Sequence, residues 1–365
     1  MTGADVDRSP ARILLLTEGA AQLTTCRLMQ ALTNRLKSGY AATLHRRAFP
    51  RGLHRKIGAI LKFELTNIGR ILRADVVVMH TPLSLSLGSI VMARLLGRRV
   101  LLVVWDLYPE SSVVTGTFRN PLLICLYDLT ERASLRLAHS VFVPSRDYAA
   151  HPKLAGLRDV HFLPIWPIAE RQPVRARALH EGEPIRIGFA GQVTVMQNVP
   201  AAIGDIAERL SERKIEFHLF GSDTVPAEIA ELAERRRGQL RIIPRGYLEG
   251  DVFQHALAAL DAGLVAIDPA FTLPAFPSKT TAYVSSGLPV IFRGPPNAGM
   301  LDIGVASGAV LVVDEHFNAS RLDQHIRSFS GAQTRYLAMV DAPDAAVSRA
   351  LPKHMTILTR PGSQL

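Results

Sequence analysis

This sequence has few cysteines, few aromatic residues and no long uninterrupted apolar run. Only Cys26 and Cys125 occur among its 365 residues, and they lie far apart, which predicts reduced thiols in a cytosolic compartment rather than a disulfide scaffold. No Cys/His cluster has metal-ligand spacing, so no metal site is expected. Aromatic residues make up 6% of the chain within a hydrophobic total of 48%, and this composition excludes a disordered protein.

Neither a membrane span nor a signal peptide is expected. The longest charge-free stretch, residues 76–93, is interrupted by Pro82 and several serines, which favours strand, loop and helix over a spanning helix. The first ten residues are polar and lack an apolar core segment, so a flexible N-terminal tail is expected instead of a signal peptide. A length of 365 residues predicts two domains of α/β size.

Acidic residues are scarce in the first half of the chain. Residues 1–175 carry a net charge of +12 and the remainder a net charge of −2, which together give the overall +10. A basic half predicts an anionic partner, either a membrane surface or nucleic acid.

A basic cluster interleaved with apolar residues accounts for part of this charge. Its candidate membrane-binding residues are Arg46, Arg47, Arg51, Arg55 and Lys56. From Leu53 the apolar residues recur at helical spacing, which is typical of an amphipathic helix lying on an anionic membrane. A solvated helix and a nucleic-acid footprint are the alternatives, and we favour the membrane, with no nucleic acid as partner.

Short β-branched runs alternate with longer amphipathic stretches in two successive series, which predicts an α/β protein with two doubly wound, Rossmann-like domains facing a central cleft. The expected strands are Arg12–Thr17, Ala41–His45, Asp75–Met79, Arg99–Val104 and Ser140–Val143, followed by Ile185–Ala190, Glu216–Phe220, Leu240–Ile243, Ala262–Ile267, Val290–Phe292 and Ala309–Val312. The expected divisions are a tail at 1–10, a first domain at 11–164, a proline-rich linker at 165–184, a second domain at 185–334 and a C-terminal helical segment at 335–365 that packs back on the first domain.

The second domain contains three motifs that follow predicted strands. Gly191 and Gln192 follow the first strand, where a glycine turn allows backbone amides to approach a phosphate; a simple connecting turn is the alternative. Ser278, Lys279 and Thr280 begin a predicted helix, so that amides, hydroxyls and an ammonium group converge on a diphosphate, although they also fit a helix cap and a solvated lysine. Arg245, Gly246 and Tyr247 are candidates for receiving a nucleotide.

In the first domain, Asp106 follows the strand Arg99–Val104 at its carboxyl end. Trp105 and Tyr108 flank it and are candidates for stacking on a sugar, whereas capping of the next helix is the alternative role for the aspartate. His80 follows another strand and is either a site residue or a structural histidine. Glu131 lies on an amphipathic helix and is a candidate acceptor-binding residue or an ordinary surface charge.

Together these motifs resemble those of bacterial GT-B glycosyltransferases, close to glycosyltransferase family 4 and its O-antigen, capsule and exopolysaccharide branch, including fucosamine-transferase-like members. The resemblance covers most of residues 12–315. It depends on the segments 106–111, 188–191, 220–222, 246–248 and 277–290 together with Glu131, in this order and spacing.

The resemblance implies a fold, a reaction and a cellular location. It implies a nucleotide-sugar donor, a UDP-sugar or alternatively a GDP-sugar, bound by the second domain near Gly191, Ser278, Lys279 and Thr280 without cofactor or metal. It implies a polyprenyl-diphosphate-linked sugar acceptor bound by the first domain, and a cytoplasmic enzyme attached peripherally to the inner face of the membrane. Lys279 then stabilises the leaving diphosphate and Asp106 orients the acceptor hydroxyl.

The chain departs from the family pattern at three positions. Many relatives carry two glutamates eight positions apart where this chain has Pro274 and Ala282, and many carry histidine where it has Trp105.

The resemblance implies transfer with retention of configuration, whereas an inverting reaction would make Asp106 the general base. A nucleotide-sugar epimerase of the same fold and a non-catalytic GT-B-like partner subunit remain the alternative functions.

Overall fold

The chain forms two compact α/β units. The computed structural model describes residues 10–48, 53–81, 87–117, 119–175, 177–296 and 298–355. One unit comprises the described residues up to Pro164 together with those from Ala342 onwards, and the other comprises Ile165–Asp341.

The first unit is built on a six-stranded parallel sheet. Its strands are β1 (Arg12–Glu18), β2 (Ala41–Arg47), β3 (Val76–Thr81), β4 (Arg99–Val104), β5 (Ser140–Val143) and β6 (Val160–Phe162), in the order β2-β1-β3-β4-β5-β6. Its helices up to this point are α1 (Thr24–Leu36), α2 (Leu53–Arg73), α3 (Leu87–Leu95), α4 (Glu110–Val114), α5 (Pro121–Leu137) and α6 (Arg146–Ala150). Strands β3 and β4 are almost wholly buried, as expected of a parallel sheet covered on both faces.

The helices of the first unit divide between the two faces of the sheet. Because right-handed crossovers that proceed in opposite directions along a sheet place their helices on opposite faces, α1 lies on one face and α2, α3 and α5 lie on the other. In agreement, α2 contacts α3, and α3 contacts α5.

The second unit contains another six-stranded parallel sheet. Its strands are β7 (Ile185–Ala190), β8 (Ile215–Phe220), β9 (Leu240–Gly246), β10 (Ala262–Ala266), β11 (Val290–Arg293) and β12 (Val310–Val312), in the order β12-β11-β10-β7-β8-β9. Its helices are α7 (Val199–Arg209), α8 (Ala227–Arg235), α9 (Gly250–Ala258), α10 (Ser278–Ser285), α11 (Met300–Ser307) and α12 (Ala319–Val340). The core includes Ile187, Phe189, Phe217, Leu264 and Ile291.

The chain returns to the first unit after α12. Helix α13 (Pro343–Arg349) contacts α1, and the Tyr40 hydroxyl donates a hydrogen bond to Ser348 Oγ at 3.0 Å. The expected C-terminal segment began at residue 335, but α12 continues as one helix to Val340, so residues 335–341 belong to the second unit.

The predicted strands are confirmed to within three residues at each end. The three-residue strand β6 was not predicted, because its single valine and single phenylalanine give too short an alternation. Within the described residues, no helix is both long enough and apolar enough to cross a lipid bilayer.

Candidate functional site

The candidate donor site lies at the carboxyl ends of β7 and β10, which are neighbours in the sheet of the second unit. At this point the strand order reverses, and the connections leave towards opposite faces, which opens a crevice where ligands of such sheets bind. Gly191 directly follows β7, and α10 begins with Ser278 after the loop that follows β10.

Lys279, the second residue of α10, is a partly enclosed cation at this point. Its Nζ lies 3.9 Å from the centroid of the Phe189 ring, and, with the Gln197 amide oriented to satisfy its neighbours, 3.1 Å from the side-chain oxygen of Gln197. Burial lowers the pKa of Lys279 to about 8. Within the described part of the chain no carboxylate forms an ion pair with this ammonium group, so it is available to an anionic ligand.

The absence of a side chain at Gly191 leaves room for the Lys279 ammonium group. Its φ is +118°, and a Cβ atom placed there would lie 3.1 Å from Lys279 Cε and 3.2 Å from Nζ. Only glycine adopts this backbone conformation without strain. The glycine turn therefore has a specific relationship to Lys279, beyond connecting a strand to a helix.

Replacing Gly191 by alanine should weaken nucleoside diphosphate binding and lower the free energy of unfolding by about 1–2 kcal/mol, because the methyl group meets both the backbone penalty and Lys279. Isothermal titration calorimetry with UDP and urea unfolding measure the two effects. Gly204→Ala is the matched control, since Gly204 lies inside α7 with no side-chain atom closer than 3.9 Å to the added methyl group. Equal losses in both variants would contradict the role of Gly191.

Two further glycines bring the ends of β7, β8 and β9 together. The Gly191 N–H donates to Phe220 O at 2.9 Å, and the Gly221 N–H donates to Gly246 O at 2.7 Å. A Cβ atom on Gly221 would lie 3.4 Å from the Gly191 backbone. The backbone at Gly191 and Gly221 therefore carries no side chain of its own beside Lys279, where a phosphate or ribose can approach closely.

The remaining donor-binding candidates differ in their exposure and in their hydrogen-bond partners. Gln192 is exposed next to Gly191, and Ser278 occupies the first position of α10. The Arg245 Nε donates to His218 Nδ1 at 3.1 Å, along the sheet. Tyr247 is 67% exposed, and its hydroxyl donates to Glu249 at 2.6 Å.

Thr280 does not have the position that a phosphate-binding hydroxyl requires. Its side chain is fully buried, its hydroxyl donates to Met300 Sδ at 3.0 Å, and its backbone N–H donates to Pro277 O. The Ser-Lys-Thr pattern gave the wrong role to its third residue because the period of the helix turns that residue into the core.

Sequence reasoning did not identify Gln197 or Tyr283 as contributors to this arrangement. The Ala190 N–H donates to the Tyr283 hydroxyl at 2.7 Å, which ties α10 to the end of β7. Both contacts join segments that are far apart in the chain. Tyr283 lies within the segment 277–290 that carries the resemblance, but no role was assigned to it, and Gln197 lies outside the motifs.

In the first unit, Asp106 follows β4 at the carboxyl edge of the sheet. The Thr81 hydroxyl donates to Asp106 O at 3.0 Å and joins it to the end of β3. The Asp106 side chain is exposed, but many protein atoms surround its carboxyl group. The resulting partial desolvation raises the pKa of the carboxyl. A carboxyl with a raised pKa at a strand end is suited to hydrogen bonding or proton transfer with a hydroxyl group.

A buried lysine fixes the segment that follows Asp106. Lys153 Nζ lies 2.6 Å from Glu131, 2.7 Å from Glu110 and 3.0 Å from Asp128, and it also donates to Tyr108 O. The Tyr108 N–H in turn donates to Glu131 at 3.0 Å. Both backbone polar groups of Tyr108 are therefore held by this cluster.

The electrostatics of this cluster reflect one cation shared by three carboxylates. Burial raises the pKa of Glu131 to about 7, against the opposing effect of Lys153. Although burial alone would lower the pKa of Lys153, its contacts with Glu131 and Glu110 raise it overall. Glu131, expected to bind the acceptor, is 6% exposed and instead positions the loop that carries Asp106.

His80 and Trp105 are core residues. His80 is 2% exposed and Trp105 is 5% exposed, and their rings pack at 5.0 Å between centroids. His80 Nε2 lies 2.9 Å from Thr17 Oγ1, and burial lowers its pKa to about 4, so the ring is neutral at physiological pH. The expected stacking of Trp105 on a sugar is wrong, because its indole faces the interior; Tyr108, half-buried beside it, remains a candidate.

The basic cluster also departs in part from expectation. Arg46, Arg55 and Lys56 are exposed. Arg47 is 3% exposed, pairs with the buried carboxylate of Glu18 and lies 4.9 Å from the centroid of the Phe63 ring of α2. These contacts hold its side chain in the interior, so it is wrong as a membrane contact. Arg51 lies outside the described residues.

No family model and no curated protein sequence matches this chain. Its structure is similar to WaaG, a glycosyltransferase involved in lipopolysaccharide biosynthesis, at 14% identity and a TM-score of 0.56, covering 93% of this chain and 98% of WaaG. It is also similar to the lipopolysaccharide outer core galactosyltransferase WaaB (11%, TM-score 0.58, 93% and 98% covered) and to HepE of Anabaena in complex with UDP-glucose (11%, TM-score 0.58, 93% and 100% covered). These similarities show that the chain has the GT-B fold.

Proposed function

We propose that this protein is a glycosyltransferase that moves a sugar from a nucleoside diphosphate to an acceptor in the synthesis of a cell-surface polysaccharide. The observation that carries the proposal is the Lys279 ammonium group, partly enclosed and free of carboxylate partners, beside the Gly191 turn at the switch point of a Rossmann-type sheet. An enclosed cation next to a side-chain-free backbone surface is suited to a diphosphate. The same fold in HepE with UDP-glucose supports this assignment.

In the proposed reaction Lys279 and the first amides of α10 stabilise the negative charge that develops on the leaving diphosphate. Asp106 hydrogen-bonds the acceptor hydroxyl. In a retaining transfer the leaving diphosphate helps to deprotonate that hydroxyl on the same face of the sugar. An inverting transfer would require Asp106 itself to accept the proton.

The proposed donor is a UDP-sugar, with a GDP-sugar as the alternative, and neither a cofactor nor a metal is part of the proposal. The proposed acceptor is a sugar linked to polyprenyl diphosphate. Such an acceptor resides in a membrane, and the exposed Arg46, Arg55 and Lys56 would attract the anionic inner face of the cytoplasmic membrane.

Product analysis after incubation with UDP- and GDP-sugars and a lipid-linked acceptor tests the proposal. A transferase produces the nucleoside diphosphate and an extended acceptor, and Asp106→Asn should lower turnover without changing the affinity for the nucleotide. A new sugar epimer formed without acceptor would identify an epimerase. Nucleotide binding with no turnover under any of these conditions would identify a non-catalytic partner subunit.

The affinity for UDP should depend on pH through Lys279. In the protein without ligand, Lys279 has a pKa of about 8, and only its protonated form attracts a diphosphate. Affinity should therefore be highest below pH 8 and fall by up to about tenfold per pH unit above it. Calorimetric titrations between pH 7 and pH 9.5 measure this dependence. Lys279→Arg should remove it, because arginine stays charged throughout that range; an unchanged profile in this variant would assign the dependence to another group.

A further inference from the structure

Helix α5 presents most of its apolar side chains to solvent. Its only buried side chains are Glu131 and Leu135, both in its second half. Leu122 is 80% exposed, Leu126 is 45% exposed and Leu129 is 60% exposed. These residues follow i, i+4 and i+7 spacing and share one face of the helix. This 17-residue helix therefore has a stripe of leucines directed away from the core of the first unit, and no described residue covers that stripe.

Helix α3, and helix α2 beyond it, also carry exposed apolar side chains. On the same side of the sheet, α3 contacts α5, and α2 contacts α3. The apolar face, as we call it, consists of the exposed residues Leu61, Leu65 and Leu72 of α2, Val91 and Leu95 of α3, and Leu122, Leu126 and Leu129 of α5. Scattered exposed leucines are ordinary, but a set spread over three adjacent helices indicates an interaction surface.

The charges on the same three helices indicate what covers this face. Their eight basic residues are all exposed: Arg55, Lys56, Lys62, Arg70, Arg73, Arg94, Arg132 and Arg136. Their three acidic residues all have partners within the unit, since Ser89 donates to Glu64 at 2.8 Å and Lys153 pairs with Asp128 and Glu131. Arg132 also pairs with Asp128 at 2.8 Å, but eight cations against three carboxylates still leave these helices with an excess of positive charge. The face therefore combines apolar side chains with net positive charge.

This combination matches an anionic lipid bilayer better than a second copy of the chain. Leucine side chains enter the interfacial region of a bilayer, while arginine and lysine interact with anionic headgroups. A symmetric dimer through the same face would bring this excess of positive charge against the same excess on the other copy, which is electrostatically unfavourable.

We infer that the apolar face is a membrane-docking surface whose leucines, above all those of α5, insert into an anionic bilayer. The inference rests on the membrane attachment of the proposed function and changes its physical basis. Attachment by Arg46, Arg55 and Lys56 alone would be electrostatic and released by salt. Insertion of leucines adds an apolar contribution that salt does not screen. It also places α5 at the lipid surface, and α5 follows Asp106 and α4 directly in the chain.

The two native cysteines allow insertion to be measured directly. Cys125 is exposed on α5 next to Leu126, and Cys26 is buried, so an environment-sensitive nitrobenzoxadiazole probe can be attached to Cys125 selectively. Vesicles of phosphatidylcholine with phosphatidylglycerol should shift its emission to shorter wavelength, and lipids brominated along their acyl chains should quench it. The same probe at Glu231→Cys in a Cys125→Ser background is the control, since Glu231 lies exposed on α8 of the second unit, and it should remain in water.

Removing the leucines tests their contribution. The triple variant Leu122→Ser, Leu126→Ser and Leu129→Ser should lower vesicle partitioning roughly tenfold or more. Most of this loss should persist in about 1 M salt, where the Debye length is about 3 Å and charge interactions are screened. The matched control combines Val252→Ser, Val305→Ser and Met339→Ser, which removes three exposed apolar residues of the second unit and should bind vesicles as the parent does. Both variants should keep the fold, because every substituted side chain is exposed.

Three outcomes would overturn the inference. The first is vesicle binding with no spectral change at Cys125. The second is equal partitioning of the leucine variant and its control. The third is a dimer, detected by analytical ultracentrifugation, that the leucine variant abolishes without any effect on vesicle binding. Thermal stabilisation by UDP is measured in the same samples, so that loss of insertion with nucleotide binding intact is distinguished from failure of the proposed function.

Discussion

Replacing Lys153 by methionine should lower the free energy of unfolding by about 3–5 kcal/mol near pH 7.5, because it leaves the buried Glu131 carboxylate without its cation, beside the partly exposed Glu110 and Asp128. The Lys153 side chain is 1% exposed and the Glu131 side chain is 5% exposed. Methionine keeps the length and apolar surface of the lysine stem, so the loss reports the charge rather than a cavity. Urea unfolding followed by circular dichroism measures it.

The pH dependence of this loss provides its control. Glu131 has a raised pKa of about 7, and removal of Lys153 raises it further, so the carboxyl is neutral at pH 5.5 and the destabilisation should shrink there. Lys153→Met combined with Glu131→Gln should recover part of the stability at pH 7.5. A loss that is the same at both pH values and in the double variant would contradict the assignment to uncompensated charge.

Replacing Lys279 by alanine should lower the rate of sugar transfer by about 10²–10³-fold, the range observed when a single group that stabilises transition-state charge is removed. The expected loss is larger in kcat than in KM, since charge on the diphosphate increases as the glycosidic bond breaks. Steady-state kinetics with the donor identified by product analysis measure both constants.

Two variants separate this effect from a structural one. Lys279→Met keeps an unbranched side chain against Phe189 and should be as inactive as the alanine variant while unfolding no more easily than the wild type, because it removes a buried charge. Lys214→Ala removes an exposed lysine of the second unit and should leave transfer unchanged. Activity retained in Lys279→Met would exclude the ammonium group from the reaction.

Both sheets could be predicted from the sequence, and so could the meeting of Gly191 and Lys279 at the edge of the second sheet. Parallel strands buried on both faces are continuous apolar runs, and the residues that follow them necessarily gather at one edge of each sheet. Gly191 and Lys279 were identified in this way, since each follows such a run and the lysine stands in an otherwise apolar stretch.

The details that pattern reasoning missed depend on contacts between distant segments. Glu131 and Lys153 are 22 residues apart, and nothing local distinguishes a surface glutamate from one buried against a lysine. Arg47 belongs to a basic run, but its strand turns it towards Glu18. Thr280 follows Lys279 directly, yet the helix directs it to Met300. In each case tertiary packing, not residue type, determines the role.

The most direct test of the donor site is a thermal-shift panel of the wild-type protein with UDP, GDP, ADP, dTDP and CMP at matched concentrations. A ligand that binds only the native state raises its stability by RT ln(1 + [L]/Kd), about 2.7 kcal/mol at a hundredfold excess over Kd. We expect a selective rise in Tm with UDP or GDP, small or absent shifts with the other nucleotides, and no shift in Lys279→Ala. An equal rise in Lys279→Ala, or no rise with any nucleotide, would contradict the claim that Lys279 and Gly191 form a nucleoside diphosphate site.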